Sequence, residues 1–177
     1  MASDWQAYDV RRSKNRFSHG EYRMDLNVQK ILGRLRGSEY VHSIKSFGEK
    51  NPEKVFYVIW LKGGGSGFFS NVFHVLGHLV VAESLGMTPI VDMERVRTLY
   101  NEVEPIEGTR NAWEYYFSQL CDVSLDAVYK SKYVVFCHGR LIESITDGID
   151  IPGRIARKYL NLRNHIQELQ ISLKFPT

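Results

Sequence analysis

Cysteine is scarce in this chain: Cys121 and Cys137 are the only two in 177 residues. Two thiols cannot staple a small secreted scaffold, so a reducing, cytoplasmic setting is the simplest expectation, with one optional bridge left open. Long apolar runs are missing as well, and none approaches the ~20 residues that span a bilayer. The longest uncharged stretch, residues 63–82, is broken by glycines and by Ser70, Asn71, His74 and His78, which predicts a buried loop and helix instead. The opening "MASDWQAYDVRRSKNRF" lacks the apolar core of a secretory signal. Charge of one sign is not in excess either. A net charge of +3 does not mark a dedicated nucleic-acid binder. The block "RRSKNR" at 11–16, beside Trp5, Tyr8, Phe17 and Tyr22, is short and reads as a solvated arm.

What is present is the mixture of an ordinary globular protein, 44% hydrophobic and 24% charged, long enough for one well-buried domain. Residues 1–50 are polar and weakly patterned and read as an extension. Within them, Asp25 can cap a short helix running to about Leu35, with Leu26, Ile31, Leu32 and Leu35 on its apolar side. Residues 51–177 read as an α/β domain. "VFYVIWL" (55–61) is an unbroken β-branched and aromatic run, as in a parallel strand covered on both faces. "TPIVDM" (88–93) and "KYVVFCH" (132–138) predict two further buried strands. Between the first two lies a helical pattern that ends at Gly86. Asn111, with Glu114 three residues on, has capping-box spacing before "AWEYYFSQL", and Ser124 opens "LDAVYKS". "DIPGRIARKYLNLRNHIQELQISL" predicts one long closing helix. Strand and helix alternate, so the expectation is a small three-stranded parallel sheet with right-handed crossovers.

The functional signal is "GGGSG", residues 63–67, between the first strand and the helix. A flexible spacer there would join nothing, since both flanks belong to one strand–helix–strand unit. Glycines at a strand C-terminus feeding a helix N-terminus let backbone amides approach an anion. A tight turn without a ligand is the plainer alternative. No Gly-Lys-Ser/Thr follows, which excludes the Walker pattern. Gly65-Ser66-Gly67-Phe68-Phe69-Ser70 approximates a dinucleotide fingerprint, with Ser where Gly or Ala is usual and Asp92 ending the second strand. Along the helix, Asn71, His74 and His78 fall opposite Phe69, Val72, Phe73, Leu76 and Val80, which predicts a polar stripe on an otherwise packed helix. His74 and His78 have metal spacing (i, i+4) but no third ligand is visible in the sequence, and no metal is expected.

"GFFSN" (67–71) resembles the G-x-F-x-N loop of protein O-fucosyltransferases. "HVLGHLVVAESLGMTPIVDM" resembles the helix and second strand of the wider fucosyltransferase superfamily, including α-1,6-fucosyltransferases and the rhizobial Nod-factor enzyme. Trp113, Glu114 and Phe117 resemble its W-E-x-x-F segment, and the likeness covers roughly residues 55–175. The resemblance implies a Rossmann-like half-domain of a GT-B glycosyltransferase, inverting and metal-free, that uses GDP-fucose or another nucleotide sugar and has no other cofactor. It implies donor-phosphate contacts from Gly65, Ser66, Gly67, Phe68, Phe69 and Asn71. The family's H-x-R-R-type diphosphate motif is absent; "FCHGR" (136–140) belongs to the third strand instead. The chain therefore reads as the N-terminal, acceptor-side half, with a second domain or partner chain expected to supply the donor site.

By position, Asp92 and His74 are the candidate bases for an acceptor hydroxyl, against a capping role for Asp92 and a surface position for His74. Trp113, Tyr115 and Tyr116 are candidates for an acceptor-sugar platform, against a place in the core. Glu114 reads as a cap, and both cysteines as small buried apolar residues. Two readings compete with the glycosyltransferase: a non-catalytic sugar- or nucleotide-binding module, and a small NAD-binding oxidoreductase.

Overall fold

In the computed structural model of the chain, the residues described are 26–35, 41–61, 67–137 and 151–167. Asp25, the "RRSKNR" block, Gly65, Ser66, His138 and Arg140 lie outside them. The elements are α1 (Leu26–Leu35), β1 (Val41–Lys45), β2 (Phe56–Ile59), α2 (Phe68–Leu85), β3 (Thr88–Val91), α3 (Leu125–Val128), β4 (Val134–Cys137) and α4 (Ile151–Tyr159). A 3-10 turn, Ala112–Tyr115, lies between β3 and α3.

The strands form one mixed sheet in the order β1-β4-β2-β3, an α/β arrangement with helices against it. β2 is central and pairs in parallel with β3 and β4, Phe56 standing opposite both Thr88 and Val134. Its four residues are all buried, which accounts for the unbroken apolar run that predicts it. The three-strand expectation is corrected by β1, which adds an antiparallel edge to β4. "VHSIK" lacks the apolar run that marks the other strands, because an edge strand needs less burial. α1, the helix anticipated before residue 36, buries Val28, Ile31 and Leu35 in the same core as α2.

Alternation along the strands sorts the interior into two layers. Tyr57, Ile59, Val91, Val135 and Cys137 face the layer shared with α1, α2 and Ile155 of α4. Phe56, Val58, Ile90, Val134 and Phe136 face the layer closed by Val128 of α3. α2 ends at Gly86, where φ is +72°; Gly86 N–H donates to Glu83 O and Met87 N–H to Ala82 O. Glycine carries this left-handed cap without steric cost. Length and composition alone would let α2 cross a membrane, which is weak evidence, and in the fold half of it is buried.

Two expectations for helices are corrected. "AWEYYFSQL" yields only the 3-10 turn, capped by Asn111, whose side chain accepts from Trp113 N–H. The long closing helix is interrupted after Tyr159: residues 160–163 leave the helix and Leu162 bridges Phe117 before a single turn at 164–167. Ser118 N–H to Asn161 O (2.7 Å) and Arg163 N–H to Tyr116 O (3.0 Å) replace the helical bonds lost there.

Candidate functional site

The largest correction concerns α2. Asn71, His74 and His78, read from the sequence as a polar stripe facing away from the core, are 6%, 5% and 2% exposed. Phe69 and Phe73, assigned to the packed side, are 73% and 60% exposed. The helix is rotated because its other buried residues, Val75, Leu79 and Ala82, share a face with the histidines. Hydrogen bonds from the sheet meet the two buried rings. Tyr57 Oη lies 2.9 Å from His78 Nδ1, and His74 Nε2 lies 3.1 Å from Trp60 O. A carbonyl only accepts, so His74 carries its proton on Nε2. Burial holds its pKa below the ordinary value, and the bond to Trp60 O partly opposes that.

At the N-terminus of α2, Gly67 stands at φ −64°, ψ 161°, with no side-chain cap. Among the described residues a Cβ there would meet only Tyr100 Oη, at 3.9 Å, so neither the backbone nor the described packing demands glycine. Phe68 N–H donates to Tyr100 Oη at 2.7 Å. Phe69 and Ser70, the next two donors of the first turn, are exposed residues. Just below, a narrow cleft is lined by Phe68, Asn71, Thr98, Tyr100, Trp113 and Tyr116. It has room for about one water molecule, so it is a seam between aromatic rings. Phe68 packs edge-on against Tyr116 at 4.8 Å and Tyr100 at 5.9 Å. Asn71 reaches the seam with its side chain bonded to no described residue.

The structure thus brings together residues of the glycine-loop motif (Phe68, Asn71) and of the W-E-x-x-F segment (Trp113, Tyr116). Thr98, Tyr100 and Met93 complete the cleft. Met93 ends the stretch predicted as the second strand, whereas Thr98 and Tyr100 come from a stretch without periodicity, so no pattern pointed to those two. Trp113 and Tyr115 are 2% and 3% exposed and offer no ring face to solvent, while Tyr116 is half-buried. Trp113 packs on Phe117 at 4.6 Å, and Tyr115 Oη donates to Arg110 O at 3.4 Å.

Asp92 follows β3 and is fully buried. Its Oδ1 accepts from Glu94 N–H (3.2 Å) and Arg95 N–H (2.9 Å), and its Oδ2 accepts from Tyr129 Oη (2.7 Å). Burial and the adjacent carboxylate push the Tyr129 phenol up, so it stays protonated and donates. The guanidinium of Arg95 lies over the Tyr129 ring at 4.1 Å and reaches Oδ2 at 3.8 Å. This is the geometry of a cap, with the carboxylate's lone pairs engaged. The expected capping role of Glu114 is corrected: its carboxylate accepts from the side chains Asn111 Nδ2 (3.1 Å), Gln119 Nε2 (2.9 Å) and Thr109 Oγ1 (3.0 Å), while Asn111 N–H donates to Thr109 Oγ1.

His74, His78 and Cys137 form the one cluster of possible metal ligands among the described residues, with a donor atom of each within 4.8 Å of the others. Cys137, at the end of β4, is the residue beside the histidine pair that spacing in the sequence could not show. No protein-family model, curated protein or solved structure matches this chain.

Proposed function

We propose that the chain is the acceptor-side, Rossmann-like α/β domain of a fucosyltransferase-like glycosyltransferase, forming one wall of a nucleotide-sugar cleft. The observation that carries the reading is Asn71: an amide that lines the cleft with no described hydrogen-bond partner, one turn below an uncapped helix N-terminus. An amide not engaged by a described residue can donate to a ligand oxygen. The location supports it. In a sheet ordered β1-β4-β2-β3, the chain leaves β2 for β3 on one side and returns to β4 on the other, so the crevice of an open α/β sheet falls beyond the C-terminal ends of β2 and β4. Phe69 and Phe73 expose their rings in the first turns of α2, and aromatic faces of this kind take the apolar face of a sugar. First-turn amides and the helix dipole would stabilise the charge that develops on a departing nucleoside diphosphate.

Calorimetric titration of the chain with GDP, GDP-fucose and NAD tests this. GDP and GDP-fucose should bind, and Asn71→Ala should weaken both by about tenfold or more, the cost of losing one hydrogen bond to a charged group. Binding of NAD alone, or no binding of any of the three, would sink the reading.

A non-catalytic sugar- or nucleotide-binding module is the second reading, and one observation favours it. Asp92 is committed to its turn and to Tyr129, and His74 to Trp60 O, so neither expected base is open to an acceptor hydroxyl. Release of GDP from GDP-fucose in the presence of glycan acceptors separates the two. Turnover supports the transferase; binding without turnover supports the module.

A further inference from the structure

We propose that His74, His78 and Cys137 form a buried three-ligand site for a thiophilic d10 metal ion, with Cu+ as the ion that the local charge favours. The three come from two elements that the fold presses together. His74 and His78 lie one turn apart on α2 with ring centroids 4.5 Å apart, and Cys137 ends β4 on the sheet face that α2 covers. The donor atoms span at most 4.8 Å. Metal–nitrogen and metal–sulfur bonds of about 2.0–2.3 Å imply ligand separations of roughly 3.5–4 Å, so a small contraction completes the site.

The surroundings have the features that hold metal ligands in place. One nitrogen of each ring meets a protein oxygen, His78 Nδ1 at Tyr57 Oη and His74 Nε2 at Trp60 O, and these contacts orient the imidazoles. Ligating histidines must be neutral, and burial favours the neutral form of His74. Cys137 Sγ sits 3.4 Å from Trp60 N and 3.5 Å from Trp60 O, at the end of the neighbouring strand. In the metal-free protein burial pushes this thiol up to about 12, so a metal must displace its proton.

Charge chooses the ion. Two neutral imidazoles and one thiolate carry a single negative charge. With Cu+ the site is neutral, whereas with Zn2+ it would bury a net positive charge, which a dry interior penalises. None of the three ligands is open to water, so the ion would have no exchangeable position and would act as a structural tie between α2 and β4. It requires no sugar nucleotide and excludes none.

Cys121→Ser serves as the background for the test, so that Cys137 is the only thiol in the chain. Anaerobic Cu(I) is titrated in competition with a chromogenic chelator, and X-ray absorption at the copper edge reads the ligands. The expected result is one copper per chain with one sulfur and two nitrogen neighbours, and a thermal transition raised by copper. Tyr57→Phe keeps the ring in the core and removes the oxygen on His78, and should weaken binding by roughly 10–100-fold. Cys137→Ser, checked for folding by circular dichroism, should abolish it. Binding that survives Cys137→Ser, or a copper spectrum without sulfur in the parent protein, overturns the site. Zinc bound in preference to copper overturns the choice of ion. The absorption measurement decides the matter even if the serine variant fails to fold.

Discussion

The face of the sheet carrying Phe56, Val58, Ile90, Val134 and Phe136 is closed mainly by hydrocarbon and aromatic rings. Phe47 packs edge-on between Tyr129 and Phe136, at 5.1 and 6.1 Å. The opposite face is equally buried, yet α2 lays Asn71, His74 and His78 across it, and the sheet answers with Tyr57 and Cys137. Apolar burial alone explains the first face. The second carries polar groups that cost free energy to bury and that a plain core would replace with leucine and valine. Exposed aromatic rings, an uncapped helix end and an unbonded amide all lie at the N-terminal end of that same helix. Both faces are packed, and only the one under α2 also buries these polar groups.

Removing side chains from the closed face gives the largest effect. Phe56→Ala empties a fully buried position on the central strand and should destabilise the domain by about 3–5 kcal/mol in urea denaturation. Where the variant still folds, its affinity for GDP or copper should be that of the parent. A loss of ligand affinity in the folded fraction would break the division between the faces.

Asn71→Ala is the opposite case. Its side chain has no described hydrogen-bond partner, so alanine should change stability by no more than about 1 kcal/mol while ligand affinity falls about tenfold or more. An Asn71→Ala protein that unfolds would show that the amide supports the core, and the assignment of this end of α2 to a ligand would fall.

The central strands were legible because each carries its burial as an unbroken apolar run, and α2 ended where Gly86 announces it. Capping residues were legible for the same local reason: Ser124 accepts from Ala127 N–H as its position predicts. The edge strand β1 was not, since "VHSIK" mixes polar and apolar residues and its partner β4 lies some ninety residues away. The rotation of α2 was illegible in another way. Periodicity gives which residues share a face but not which face turns inward, and counting Phe69 and Phe73 as core reversed the choice. The phenylalanines are exposed because the two histidines find Tyr57 and Trp60 O beneath them, contacts across the sheet that no spacing reveals. The approach of Cys137 to the histidine pair is of the same kind, a product of strand order. Likewise, the carboxylate of Asp92 was visible at the end of a strand, but its engagement by Tyr129, thirty-seven residues on, was not.

The smallest effect sharpens the comparison through pH. His74 has its folded pKa held below 6.5 by burial, so below that value the unfolded chain binds more protons than the native one. Stability contributed by the neutral ring is full above pH 6.5 and falls as pH drops toward the lower folded value, by at most about 1.4 kcal/mol per pH unit for one proton. The bond to Trp60 O limits the loss by favouring the protonated ring. Over the same window Glu83, bound by Arg154 and Lys158 and held at about 2, stays ionised and contributes no slope. Urea midpoints measured from pH 7.5 to 5.5 should therefore decline, and His74→Asn should flatten the curve while Phe56→Ala lowers it without changing its slope. An unchanged slope in His74→Asn would mean that the ring does not titrate with folding. The polar face would then be as inert to protons as the closed one.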